Sequence, residues 1–170
     1  MMNKLSERPS DKQQEENEHF VINTPIGHLA INVCANELHH IDLNSERSLK
    51  SPGSDFAKDV SRQIDCYFKD PSFKFHIKMK AEGTDYQKSI WKALTEIPVG
   101  EIMTYGALAS KVDSGARAIG NACRNNPIPL IVPCHRIVSA SGLGGFAGKL
   151  DGRLIDIKQT LLVHEKAMLI

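Results

Sequence analysis

Apolar and polar residues alternate along HFVINT (19–24) and again through HLAINVCANELHHIDL (28–43), which predicts strands, the second run folding back at Ala35-Asn36-Glu37 into a hairpin. In GSDFAKDVSRQIDCYFKD (53–70) the period changes: Phe56, Val60, Ile64 and Tyr67 or Phe68 recur at helical spacing, and Pro71 ends the helix. SFKFHIKM (72–79) alternates strictly, with Phe73, Phe75, Ile77 and Met79 on one face, and predicts a strand with one wet side. KAEG (80–83) reads as a linker. Beyond it, GTDYQKSIWKALTEIPVG (83–100) predicts a helix capped by Thr84 or Asp85, with Tyr86, Ile90, Leu94 and Ile97 on one stripe and a stop at Pro98. Thr104 caps a short helix through YGALASKV. After a DSG turn, Ser114 caps a second, ARAIGNACRN, ended by Pro127. Such a pair is a helix-turn-helix outline. NNPIPLIVPCHRIV (125–138) reads as a buried strand running up to Cys134, and IDIKQTLLVHEKA (155–167) as a late helix. The fold class is α/β, of the α+β kind. A polar tail (1–18) precedes an α+β domain (19–80), and a mainly helical domain (84–170) follows.

Composition narrows this picture. A 170-residue chain with 41% hydrophobic residues can bury a core, and wholesale disorder is excluded. No apolar run approaches the ~20 residues of a membrane span, so no membrane partner is expected. The opening segment lacks the apolar core of a secretory signal, which sets the expectation of a cytoplasmic protein. Net charge is only +1, against a surface that grips nucleic acid everywhere. From Thr104 to Arg136, however, Lys111, Arg117, Arg124 and Arg136 face the single acid Asp113, a local basic stretch suited to salt-sensitive phosphate contact. The second helix of the pair is slim, with Ala116, Ala118, Gly120 and Ala122, and carries Arg117 near its start, where a DNA-binding helix meets a groove. Tight core packing would use the same small residues.

The four cysteines, Cys34, Cys66, Cys123 and Cys134, show no CxxC spacing and are expected as reduced thiols, each either packing or chemistry. Cys134 stands apart because His135 and Arg136 follow it. A thiol near pKa ~8.5 is mostly protonated at neutral pH, and a base or a positive charge is needed to make it a nucleophile. Residues i and i+1 of an extended chain point to opposite faces, so contact between His135 and Cys134 requires a turn at Pro133-Cys134 or a bridging water. A carboxylate usually orients such an imidazole, and the late helix offers Glu165. The glycine-rich SASGLGGFAG (139–148), with Phe146 its only aromatic, reads as a pocket wall or lid; it matches neither a phosphate loop nor a dinucleotide fingerprint. The residues alone stop at a cysteine nucleophile with a histidine helper. A cysteine hydrolase and a DNA-facing binding module without chemistry both remain open.

GTDYQKSIWKALTEIPVGEIMTYGALA, then ARAIGNACRNNPIPLIVPCHRIVSASGLGGFAG, and LLVHE together resemble the O6-alkylguanine-DNA alkyltransferases, over about Gly83 to Glu165. The first half resembles that family's ribonuclease-H-like N-terminal sheet only loosely. The resemblance implies a DNA repair protein that takes an alkyl group from O6-alkylguanine onto its own Cys134, irreversibly and once. It leaves O4-alkylthymine open as a second substrate. His135 then activates Cys134 through a water, Glu165 holds His135, Tyr105 gives a proton toward the departing guanine, and Asn126 braces the turn before the cysteine. Arg117 replaces the rotated nucleotide in the duplex, with Ala118, Arg124 and Tyr105 also on the DNA side. Cys123, Ile137, Phe146 and Ala147 belong to the substrate pocket. The helix-turn-helix takes the minor groove, and a monomer without cofactor is expected. Some members carry a structural zinc. Cys34, His39 and His76 supply three candidate ligands and no fourth, so no metal is expected here.

Overall fold

The structure, a computed structural model, describes residues 16–167. Most of the expected tail lies outside them, but β1 (Asn17–Thr24) already begins at Asn17, and the Glu18 carboxylate accepts from the backbone amides of Gly53 and Ser54. β1 pairs antiparallel with β2 (Gly27–Cys34), which pairs antiparallel with β3 (Glu37–Asp42). The hairpin turns on Ala35 and Asn36, both at positive φ, the conformation of a primed two-residue turn whose twist suits antiparallel strands. Phe20, Leu29, Ile31, Leu38 and Ile41 are buried from this sheet, and Ala57, Val60, Ile64 and Tyr67 from helix α1 (Asp55–Lys69). Ser54 caps α1 by accepting from the Ala57 amide.

The segment 72–79 does not become a strand: Phe73, Phe75 and Ile77 stay half-buried on the expected face, but Met79 is exposed. It runs extended beside β3, with a single parallel bridge from Leu38 to Met79 and amide bonds from Leu38 to Lys78 and from Lys80 back to Leu38. The Gln63 side chain occupies both backbone groups of His76, so a continuous ladder has no partners there.

α2 (Asp85–Thr95) opens with a reciprocal capping box between Thr84 and Gln87. It buries Ile90, Trp91, Ala93 and Leu94, but Tyr86 is exposed: the expected stripe begins one turn late. The Tyr86 hydroxyl instead lies 2.7 Å from Ser114 Oγ. That contact occupies Ser114, so α4 (Ala116–Arg124) starts from Gly115 with no side-chain cap. Its neighbour α3 (Tyr105–Lys111) is capped by Thr104 as expected. The two short helices pack on each other across residues 112–115, and the Trp91 indole donates to the Ala122 carbonyl at 2.9 Å, fixing α4 to α2.

The expected strand before Cys134 is also absent. Ile128, Leu130, Ile131 and Val132 are buried, yet the chain is irregular, with Leu130 at φ +77°. Prolines at 127, 129 and 133 remove three ladder donors, which an interior strand does not tolerate. A short parallel pair, β4 (Met103–Thr104) with β5 (Ile137–Val138), and helix α5 (Arg153–His164) complete the fold. Among the described residues no helix is long and apolar enough to cross a membrane.

Candidate active site

Pro133 decides where the cysteine goes. Its φ of −81° and ψ of 63° make an inverse γ-turn, closed by the Cys134 amide donating to the Val132 carbonyl at 2.8 Å. A turn of 3-10 helix, Cys134–Arg136, follows at once. The backbone is therefore not extended here, and the opposite-face objection to Cys134 and His135 acting together does not apply. Asn126 braces both sides of the kink. Its Oδ1 accepts from the Ile128 amide at 3.0 Å, and its Nδ2 donates to the Val132 carbonyl at 2.9 Å and to Cys134 Sγ at 3.2 Å.

Behind the cysteine, His135 and Glu165 are both buried, with His135 Nε2 2.9 Å from Glu165 Oε1. Hydrogen bonds and charge from His135 and Arg136 hold the Glu165 carboxyl far below its ordinary range, against the opposing effect of burial, so it is a carboxylate and accepts. Nε2 must then carry the ring proton, which leaves Nδ1 as a bare acceptor. Nδ1 is also the one buried side-chain polar atom among the described residues without a protein partner. Burial pulls the His135 pKa below its usual value, and the ring is neutral at neutral pH. Burial pushes the Cys134 thiol up to about 11, partly offset by the Asn126 hydrogen bond and the charge of Lys158. The resting sulfur is a thiol. Forming the free thiolate at pH 7 would cost roughly 5 kcal/mol at 1.36 kcal/mol per unit.

Cys134 opens onto a cavity of about 280 Å³, near the lower end of the roughly 300–1,000 Å³ typical of small-molecule sites. Tyr105, Cys123, Arg124, Phe146 and Ala147 are among the residues that line it. The far wall is the glycine-rich loop, closed by a tight turn in which Phe146 and Lys149 exchange both backbone bonds around Ala147 and Gly148 at positive φ. Gly144 is required: a Cβ there would stand 3.0 Å from the Ser139 amide and 3.3 Å from the Tyr105 ring, at φ +74°. Burial raises the Tyr105 hydroxyl to about 12, so it is held as a proton donor. Ile137 does not line the cavity. Its side chain is buried in β5 and its carbonyl is taken by Lys158. Arg117 and Ala118 lie exposed on α4, outside the cavity. Among the described residues no three His, Cys, Asp or Glu side chains are placed to hold a metal, so Cys34, His39 and His76 form no ligand set.

A family model described as "6-O-methylguanine DNA methyltransferase, DNA binding domain" matches residues 85–167. A methylated-DNA–protein-cysteine methyltransferase of Methanosarcina mazei is 43% identical over 136 residues, 75% of this chain and 83% of the relative. The chain belongs to this methyltransferase family. A second member, from Methanosarcina acetivorans, is 37% identical over 85% of this chain and 96% of its own length. The crystal structure of Mycobacterium tuberculosis OGT in complex with DNA superposes with a TM-score of 0.75 at 35% identity, covering 88% of this chain and 92% of that one.

Of three further methyltransferase residues at this site, one takes a role other than its place in the sequence suggests and two carry no motif. Arg136, considered from sequence as a charge for the thiol, turns away from it. It grips Glu165 with Nε and Nη2, both at 2.9 Å, and donates Nη1 to the Ile97 carbonyl at 2.5 Å. Lys158, fully buried, donates to the carbonyls of Ile137, Leu143 and Gly145 at 2.6, 2.8 and 2.8 Å, tying the glycine loop to β5 from behind. A lysine in the apolar register of the late helix was the available signal. The third is Tyr67, whose hydroxyl donates to Glu165 Oε1 at 2.7 Å across 98 positions of sequence.

Proposed function

We propose that this protein repairs DNA by moving the alkyl group of O6-alkylguanine onto Cys134 Sγ, once per molecule. The observation that carries the reading is a buried thiol at the floor of a nucleobase-scale cavity, adjoining a neutral imidazole whose only open atom is an acceptor. A water bonded to Nδ1 takes the thiol proton to His135 as sulfur attacks the alkyl carbon. The bond from that carbon to O6 breaks and the departing guanine gains a proton from Tyr105; the proton held on His135 then returns to the Tyr105 oxygen through solvent, so the net proton transfer is from sulfur to the base. A thioether remains. No group near it can expel carbon from sulfur, which makes the reaction stoichiometric.

Sulfur at the floor of a cavity cannot reach a base inside a stacked duplex, so the nucleotide must rotate out. The α3–α4 pair, with Arg117, Ala118 and Arg124 on one exposed side, is the surface for the minor groove, where inserted side chains compensate lost stacking. The protein acts as a monomer, and a comparable attack on O4-alkylthymine uses the same geometry.

Intact mass after incubation with a methylated-guanine duplex tests the reading. One methyl group on the Cys134 peptide, with no second turnover, is expected; ester turnover without mass gain would mark a hydrolase, and tight binding without transfer a recognition module.

Arg117→Ala separates extrusion from chemistry. Repair of a duplex should fall roughly 10- to 100-fold, the cost of a few kcal/mol of unfilled unstacking, while transfer from the free alkylated base changes little. Equal losses on the two substrates would remove Arg117 from the extrusion step.

A further inference from the structure

Glu165 Oε1 accepts from three donors: His135 Nε2 and Arg136 Nη2, each at 2.9 Å, and the Tyr67 hydroxyl at 2.7 Å. A carboxylate oxygen offers about two lone-pair sites, so these donors compete. Tyr67 is the shortest of the three, the only neutral hydroxyl and the only one arriving from α1. It is held there firmly. The residue is 1% exposed, its ring packs against Phe68, Phe75 and His164 at centroid separations of 5.2, 5.5 and 5.1 Å, and its carbonyl accepts from His164 Nε2 at 2.8 Å. An apolar contact alone would be served by phenylalanine. The hydroxyl is aimed at the one oxygen that supports the catalytic imidazole.

We propose that Tyr67 is a positioning residue of the alkyl transfer: by sharing Glu165 Oε1 with His135, its phenol sets how strongly the carboxylate supports the imidazole as a base. The inference rests on the alkyl-transfer reading of Cys134 and His135. Every hydrogen bond donated to a carboxylate disperses its charge and lowers its pull on a neighbouring imidazolium. The charged and titratable groups that bear on His135 are Glu165, Arg136 and Lys158, with Cys134 adjacent and His164 behind Tyr67. Of these, Arg136 and Lys158 already oppose protonation of the ring. Tyr67 adds a third restraint, and it is the one that can be removed without leaving a buried charge unpaired, because Arg136 still bonds both carboxylate oxygens. The phenol also stays protonated at every working pH, since burial and the adjacent Glu165 hold its pKa far above the ordinary range. Its influence is thus constant, a fixed bias on the base.

Single-turnover transfer measured across pH, together with the imidazole titration of His135 followed by NMR, tests this. Tyr67→Phe should move the acid limb of the rate profile and the His135 midpoint upward together by about half a pH unit, the scale of one net hydrogen bond. Incorporation of 3-fluorotyrosine at 67, a stronger donor in the same space, should move both downward. Phe68→Leu, which loosens the same aromatic cluster, should lower thermal stability without moving either. Unchanged His135 midpoints in both Tyr67 proteins would overturn the proposal. The titration needs no alkyl transfer, so its failure is distinguishable from failure of the repair reading, which the mass measurement scores separately.

Discussion

A Cys134→Ser protein is expected to bind methylated duplex as the parent does and to transfer nothing. The substitution is nearly isosteric, and Asn126 Nδ2 finds an acceptor in the new hydroxyl as it does in the sulfur, so the kink at Pro133 and the cavity persist. The chemistry does not. An alcohol is several units less acidic than a thiol, and its oxygen is far less polarisable toward saturated carbon. His135 compounds the loss. Its basicity is already depressed by burial, and drawing a proton from an alcohol asks far more of it than drawing one from a thiol near 11. A fall of roughly 10⁶-fold, the scale seen when a nucleophile acting in a unit is deleted, takes the reaction below detection. Fluorescence anisotropy on a labelled duplex should give affinity within about threefold of the parent, a difference below 1 kcal/mol, while intact mass stays unchanged after prolonged incubation. Residual methylation of the serine variant at a measurable rate would place the acceptor elsewhere, with Cys123, the other thiol of the cavity, the next site to map.

The raised thiol pKa and the lowered imidazole pKa belong together. A thiolate standing ready would need a positive charge close by, as in enzymes that pair cysteine with imidazolium. Here the nearest cation that counts is Lys158, whose ammonium is committed to three carbonyls and whose own pKa is pulled down to about 8 by burial. The site thus keeps its sulfur protonated until an electrophile arrives. For a reagent that reacts once, a resting thiol buried at 4% exposure is protected from adventitious alkylation and oxidation. The same burial makes the base indispensable.

Local chemistry made much of this legible in the sequence. Thr104 is readable as a cap, as is Thr84 or Asp85 for α2, and asking what orients the imidazole beside Cys134 leads to Glu165, which the fold brings within 2.9 Å of His135. What escaped the sequence depended on contacts between distant segments. Ser114 has the chemistry of a cap, yet Tyr86 claims it from 28 residues away. Phe73 to Met79 alternate as a strand does, but Gln63 takes the backbone groups a ladder would use. The periodicity left Tyr67 and Phe68 as equals on α1, and only the location of Glu165 separates them. Adjacency alone makes Arg136 a partner of the thiol. The 3-10 turn sends it to Glu165 instead, where a bidentate fork meets a planar carboxylate.

Glu165→Gln should cost about 3–5 kcal/mol of stability at neutral pH and slow alkyl transfer roughly 10²- to 10⁴-fold. The amide is the same size, so the loss is electrostatic. It turns N–H groups toward Arg136, leaves that guanidinium buried without its anion, and keeps a single acceptor for which His135, Tyr67 and Arg136 compete. The sign of the pH dependence identifies the cause. In the parent, the Glu165 carboxyl lies well below its ordinary value of 4.5, so the unfolded chain binds that proton first as pH falls. The stabilisation is complete above about 4.5 and is lost below it, by about 1.4 kcal/mol per unit until the folded pKa is reached. His135 also loses stability as pH falls below its unfolded value of 6.5, because its folded pKa is lowered, but it does so in parent and variant both, so the narrowing belongs to Glu165. Urea denaturation of parent and variant at pH 7 and again near pH 3.5 should therefore show a wide gap that narrows in acid. A gap of equal width at both would mean that packing, not the carboxylate charge, was removed. Single-turnover transfer supplies the second half of the measurement: a variant that refolds at neutral pH yet alkylates Cys134 at the parental rate would show that His135 needs no anion behind it.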